Sequence, residues 1–134
     1  MGNAQTVQKI YEAFGTGDIP TILDQLSDDV AWESWADNAA QAAGVPWLEA
    51  RKGKDGATEF FGVLQPMTFH EFSLLGVLEG GNQVAAELVI DIELPNGARV
   101  RDEEVHLWTF DNAGKVTRFR HYVDTAKHIA AAGS

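Results

Sequence analysis

Six apolar residues, Val84, Ala86, Leu88, Ile90, Ile92 and Leu94, recur at every second position, with Glu87, Asp91 and Glu93 between them. A period of two over eleven residues specifies a β-strand with one buried face and excludes a helix. The turn Pro95-Asn96-Gly97 follows, and 98–110 reads as a second strand. A three-residue loop sets Leu94 opposite Ala98, Glu93 opposite Arg99 and Asp91 opposite Arg101. Two cross-strand pairs of opposite charge favour that register and put the charges on the outer face. A two-residue Asn-Gly turn would instead set Leu94 against Arg99 and mix the faces. The inward face of 98–110 is then Val100, Asp102, Glu104, His106, Trp108 and Phe110, of which three are ionisable.

The strands 69–79, 83–94, 98–110 and 115–124 are joined by Gly80-Gly81-Asn82, Pro95-Asn96-Gly97 and Asp111-Asn112-Ala113-Gly114. A four-residue loop in the last hairpin pairs Trp108 with Thr117, His106 with Phe119 and Glu104 with His121, and a bulge would shift this register by one. Helices come first. Val7, Ile10, Tyr11 and Phe14 share one helical face, and Gly15-Thr16-Gly17 ends that helix. Asp18 is the N-cap of a short second helix with Ile22, Leu23 and Leu26 on its apolar side. Ser27-Asp28-Asp29 breaks it, and 30–35 reads as a strand. Asn38 to Ala43 suits a helical turn and 44–47 a loop. A third helix opens at Lys54-Asp55-Gly56, carries Phe60, Phe61 and Leu64, and ends at Pro66. A short Ala-rich helix starts at Thr125. This order predicts an α+β fold: one domain over residues 1–134, a cone-like, curved, mostly antiparallel sheet with N-terminal helices on its concave face.

Composition narrows the function. Twenty acidic residues against ten Lys plus Arg give a net charge of −10 with no basic patch, which argues against nucleic acid as a partner. No apolar run reaches the ~20 residues of a membrane helix, and the N-terminus lacks a basic-then-apolar leader. Cysteine is absent, which excludes disulfides, thiolate nucleophiles and Cys-based zinc sites and fits a reducing cytoplasm. Residues 76–81 are a hairpin turn rather than a dinucleotide loop, and no Gly-x-Ser-x-Gly elbow occurs. His106, His121, Glu104 and Asp102 are ligand types, but no His-Glu-x-x-His motif joins them, so neither a metal nor an organic cofactor is expected.

The run Tyr11-Glu12-Ala13-Phe14, then Gly17-Asp18, then Leu26 to Trp32 resembles the N-terminal signature of the nuclear transport factor 2-like superfamily. Arg51 to Phe61 resembles its third-helix entry and Phe110 to Asp124 its final hairpin, closest to the SnoaL-like and ketosteroid-isomerase-related members. Aligned on Gly17-Asp18 and Asp28-Asp29, the isomerase's catalytic Tyr falls on Ile10, next to Tyr11. Its general-base Asp falls on Ser34 and its oxyanion-hole Asp on His106. Ser34 cannot abstract a carbon-bound proton unaided, so the standard isomerase triad is not implied. In the limonene-epoxide-hydrolase-like pattern His121 stands where the water-activating Asp would be, and Val89-Ile90-Asp91 keeps an Asp but lacks the Arg. The SnoaL-like cyclase Asp matches Asp124, ten residues after Gly114, although alternation turns Asp124 outward.

These observations predict a pocket for a small hydrophobic cyclic molecule with cofactor-independent acid–base chemistry of isomerase, cyclase or hydrolase type. His121, oriented by Glu104, is the expected base and His106 the donor to a developing oxyanion. A purely structural His–Glu hydrogen bond and a satisfied core histidine are the plain alternatives. Asp102 is expected near the sheet's rim, and His70 and His128 at the surface. Tyr11, Trp32, Ser34, Trp35, Trp47, Phe61, Trp108 and Phe119 are the expected ligand contacts. The resemblance also implies a homodimer through the sheet's outer face, where Val89, Val105, Leu107 and Tyr122 stand among charges. The rival function is a non-catalytic ligand-binding or assembly module.

Overall fold

The computed structural model describes residues 2–33 and 37–133. Helix α1 (Asn3–Gly15) buries Val7, Ile10 and Ala13, the stripe that its spacing demands. Gly17 takes the left-handed conformation that ends it (φ +71°), where a side chain would be strained. Helix α2 (Ile19–Asp24) is capped by Asp18, whose Oδ1 accepts from the Thr21 N–H at 3.2 Å. Helix α3 is the single turn Ala39–Ala42, followed by a 3₁₀ turn at Pro46–Leu48. Helix α4 spans Gly53–Leu64, and α5, Thr125–Ala132, closes the chain.

Among the described residues, six strands form one sheet in the order β2-β1-β6-β5-β4-β3. They are β1 (Leu26–Trp32), β2 (Arg51–Lys52), β3 (Thr68–Gly80), β4 (Gln83–Glu93), β5 (Arg99–Phe110) and β6 (Val116–Tyr122). All neighbours are antiparallel except β1 and β6. Two irregularities in the β3–β4 ladder, between Phe69 and Glu71 and between Leu74 and Gly76, bend the long edge strand and contribute to the sheet's curvature. The result is the α+β cone.

Strand β1 begins at Leu26, not at Val30. Leu26, Val30 and Trp32 are buried while Asp28 points to solvent, so the acidic pair that reads as a breaker sits in the strand on its open side. Leu26 therefore belongs to β1 and not to the second helix. The two-residue strand β2 is held by pairing with Ala31 and Trp32.

The β4–β5 register is the one the three-residue loop predicts: Glu93 stands opposite Arg99 and Asp91 opposite Arg101. The shorter ion pairs leave that register, although Arg101 also stands 3.9 Å from Asp91 directly opposite it. Arg99 forks onto Asp91 at 2.9–3.0 Å and Arg101 reaches Glu71 at 2.7 Å.

The β5–β6 register differs from expectation by two residues: His106 pairs with His121 and Trp108 with Phe119. One step comes from the turn, which is tighter, because the Asp111 N–H bonds the Lys115 carbonyl at 2.9 Å. The other comes from an irregularity between Thr109 and Phe110 that leaves Thr117 unpaired. Because the two steps sum to an even number, Phe119 and His121 still face inward.

Candidate active site

Strand alternation gathers the polar residues. Asp102, Glu104, His106 and Trp108 lie on one face of β5, and Phe119 and His121 on the inward face of β6. Helix α5 crosses above them and inserts His128. Together with α1, α4 and the inner sheet face they enclose a cavity of about 70 Å³. That volume suits one small ring or about five waters. Its walls are aromatic. Tyr11, Trp32, Trp47, Phe61, Trp108 and Phe119 all line it, and Trp32 stacks on Phe119 at 4.3 Å. Ser34 and Trp35 lie outside the described residues.

The polar end is built by Glu104, His106, His121 and His128. His121 uses both ring nitrogens, Nε2 with Glu104 Oε1 at 2.6 Å and Nδ1 with Glu33 Oε1 at 3.1 Å. Two carboxylates in line with two N–H bonds describe an imidazolium. Burial alone would push its pKa down. Glu104 and Glu33 outweigh that and hold it well above the ordinary value. Burial also pushes the Glu104 carboxyl up, but His121, His106 and His128 together bring it well below the usual carboxylate range. Glu33 shares one imidazolium with Glu104, and there burial prevails, so its pKa is raised.

His106 takes the opposite state. Burial, then the neighbouring His121 charge, pushes it down to about 4, so the ring is neutral at pH 7. Its tautomer follows from its neighbours. Trp108 Nε1–H can only donate, and it donates to Tyr11 Oη at 3.1 Å. The Tyr11 hydroxyl, kept protonated by burial, then donates to His106 Nδ1 at 2.6 Å. The ring proton of His106 is therefore on Nε2, a buried atom without a hydrogen-bond partner and 3.8 Å from Glu104 Oε1.

Three residues depart from the sequence reading. Asp102 is 4% exposed rather than solvated at the rim; its Oδ2 accepts from His128 Nε2 at 2.9 Å and from the Asp124 N–H at 3.0 Å. His128 is 1% exposed rather than superficial, because α5 folds back over the sheet. Trp47 Nε1–H donates to His128 Nδ1 at 2.9 Å, which puts the His128 proton on Nε2, towards Asp102 and 3.2 Å from Glu104 Oε2. Glu33 was not anticipated at all. It is 1% exposed and has a left-handed backbone, φ +55°, a strained state for a non-glycine residue. Its position beside Trp32 in an acidic stretch gave no sign that it meets His121. His70 is on the surface with Glu93, and Asp124 is exposed as alternation predicts.

The SnoaL-like domain family matches residues 7–119. The chain belongs to that family. No curated protein shows significant sequence similarity to it. Among solved structures, a nuclear transport factor 2-like protein from Burkholderia pseudomallei is similar at 26% identity, with all of both chains covered and a TM-score of 0.82. TerC, co-crystallised with polyporic acid, is 24% identical over 98% of each chain, with a TM-score of 0.78. A Δ5-3-ketosteroid isomerase from Mycobacterium is 20% identical over 92% of this chain and 93% of its own, with a TM-score of 0.71. The last two likenesses concern the fold alone. Among the described residues of this SnoaL-like domain no helix is long and apolar enough to cross a membrane.

Proposed function

We propose that this SnoaL-like domain binds a small, flat, largely apolar cyclic molecule in the aromatic cavity and moves a proton on it by general acid–base chemistry. The observation that carries this reading is His106 Nε2–H at the polar end, a buried donor without a hydrogen-bond partner beside a cavity with aromatic walls. An unsatisfied buried donor is expensive, and a ligand oxygen would satisfy it. TerC, of the same fold, was co-crystallised with polyporic acid.

The roles follow from the protonation states. His106 Nε2–H donates to a ligand oxygen as negative charge develops there. It does not release the proton, because that would leave an imidazolate or require a Tyr11 phenolate, and burial disfavours the phenolate. His121, with both N–H groups committed, is no base. That role passes to Glu104, which His121 orients and Glu33 supports from behind. A carboxylate held so low is a weak base. It matches only an acidic proton, such as one on carbon flanked by two carbonyls or on a hydroxyl conjugated to one.

A fragment set of single-ring ketones and phenols, titrated in chelator against tryptophan fluorescence, identifies binders. Each binder is then incubated in D₂O and read by NMR. Deuterium entry with the natural chain and its loss in folded Glu104→Gln, or in Glu104→Asp if the first does not fold, supports the reading. A ligand bound and recovered unlabelled makes the domain a binding module, and no binder at all removes the proposal.

A further inference from the structure

We infer that the polar end of the cavity is a binding site for a first-row divalent transition-metal ion, with His106 Nε2, Glu104 and His121 Nε2 as ligands. This goes against the expectation from the sequence, where the three residues sit on two strands without a compact motif. The fold closes that gap: one ligand atom from each lies within 4.8 Å of the others, and all three residues are buried. His106 Nε2 is 3.8 Å from Glu104 Oε1, too far for a hydrogen bond, and it has no other partner. Two ligands of one tetrahedral ion lie about 3.4 Å apart at ordinary bond lengths.

The surroundings support those two imidazoles. His121 Nδ1 already faces Glu33 Oε1. Tyr11 donates to His106 Nδ1 while the ring proton is on Nε2, but it is a hydroxyl and, unlike the Trp47 indole, can turn to accept from Nδ1 and free Nε2 for the ion. Carboxylate or hydroxyl partners of this kind orient metal-bound histidines and fix which nitrogen faces the ion. A second triad, Asp102, Glu104 and His128, is equally compact. It is ruled out by Trp47: the indole N–H occupies His128 Nδ1, so the His128 proton blocks the nitrogen an ion would need. His128 instead faces Glu104 Oε2 at 3.2 Å and steadies the ligating carboxylate.

Every ion pair that Glu33, Glu104 and Asp102 make among the described residues is to a histidine. Such an enclosure attracts cations. The ion would replace the proton shared by His121 and Glu104, which leaves to solvent, and would widen their 2.6 Å contact. Two imidazoles and one carboxylate, with no thiolate, select zinc, iron(II), cobalt or manganese over calcium or magnesium. Three protein ligands leave the remaining positions to the cavity, where the ion would take over from His106 the polarisation of a ligand oxygen.

The test uses the tag-free chain, stripped with chelator, dialysed and titrated with Co²⁺. One equivalent bound, with visible d–d absorption and a raised melting temperature, is the expected result. His106→Gln, folded by circular dichroism, is expected to lose the bands. Glu33→Gln should weaken binding by about tenfold or more, whereas His128→Gln keeps the stoichiometry. No bands and no thermal shift at millimolar Co²⁺ or Zn²⁺ would overturn the site, as would binding undiminished in His106→Gln or abolished instead by His70→Gln at the surface pair. No organic ligand enters this titration and the ligand screen runs in chelator, so either proposal can fail alone.

Discussion

Trp47 shows how a single side chain sets the state of the site. Its indole N–H fixes the His128 tautomer, and through it the contact with Asp102 and Glu104. Trp47→Phe keeps an aromatic ring, though a smaller one, and deletes the donor, leaving a buried acceptor unpaired. Urea denaturation should show a loss of about 1–3 kcal/mol. His121 and Glu33 make a second prediction, about pH. Both pKa values are raised in the folded chain, so the stability they contribute is full below their unfolded values and is lost as pH rises through the folded ones. For His121 that loss begins above 6.5. Melting temperature in chelator should therefore fall on going from pH 6.5 to alkaline pH, and the fall should be shallower in His121→Gln. A flat profile would contradict the imidazolium assignment.

Among the elements, local pattern fixed most types and faces. The inward stripe of β5 is legible in its alternation, as is the β4–β5 register in the charges flanking Pro95-Asn96-Gly97. The β5–β6 register was not, because a tighter turn and an irregularity each moved the pairing by one, and neither has a composition of its own. Strand β1 starts early because its parallel partner β6, ninety residues away in order of magnitude, supplies the hydrogen bonds. The entry to α4 is also set by tertiary contact. Gly53 has φ +74°, and a Cβ there would stand 3.3 Å from the Asp28 carbonyl oxygen. Gly53→Ala should cost about 1–2 kcal/mol in a chemical denaturation curve; an unchanged midpoint would show that the turn relaxes freely.

For the whole molecule, charge and exposed surface carry the predictions. A net charge of −10 on 134 residues opposes compaction. Screening should relieve it, so the melting temperature should rise between about 0.01 M and about 0.15 M salt, as the Debye length shrinks from ~30 to ~8 Å. A falling melting temperature would mean that surface ion pairs dominate. The homodimer remains an expectation. Beside Val105, the edge strand β3 leaves Leu75 57% and Leu78 75% exposed, surface that a second copy would cover. Sedimentation at micromolar concentration should then show a dimer, and a lone 14.6 kDa species would refute it.

By itself the sequence determined the α+β plan, the inward face of β5, the aromatic character of the interior and the resemblance to SnoaL-like proteins. All of these rest on periodicity and local chemistry, which a chain carries wherever it goes. Only the tertiary structure decided the state of the histidines. His106 is neutral because it is buried beside the charged His121, and His121 is charged because carboxylates from β5 and the end of β1 flank it. Glu33, Asp102 and His128 joined the site for the same reason. Protonation in a buried cluster depends on distances of about 3 Å between distant parts of the chain, and no spacing in the sequence records those distances.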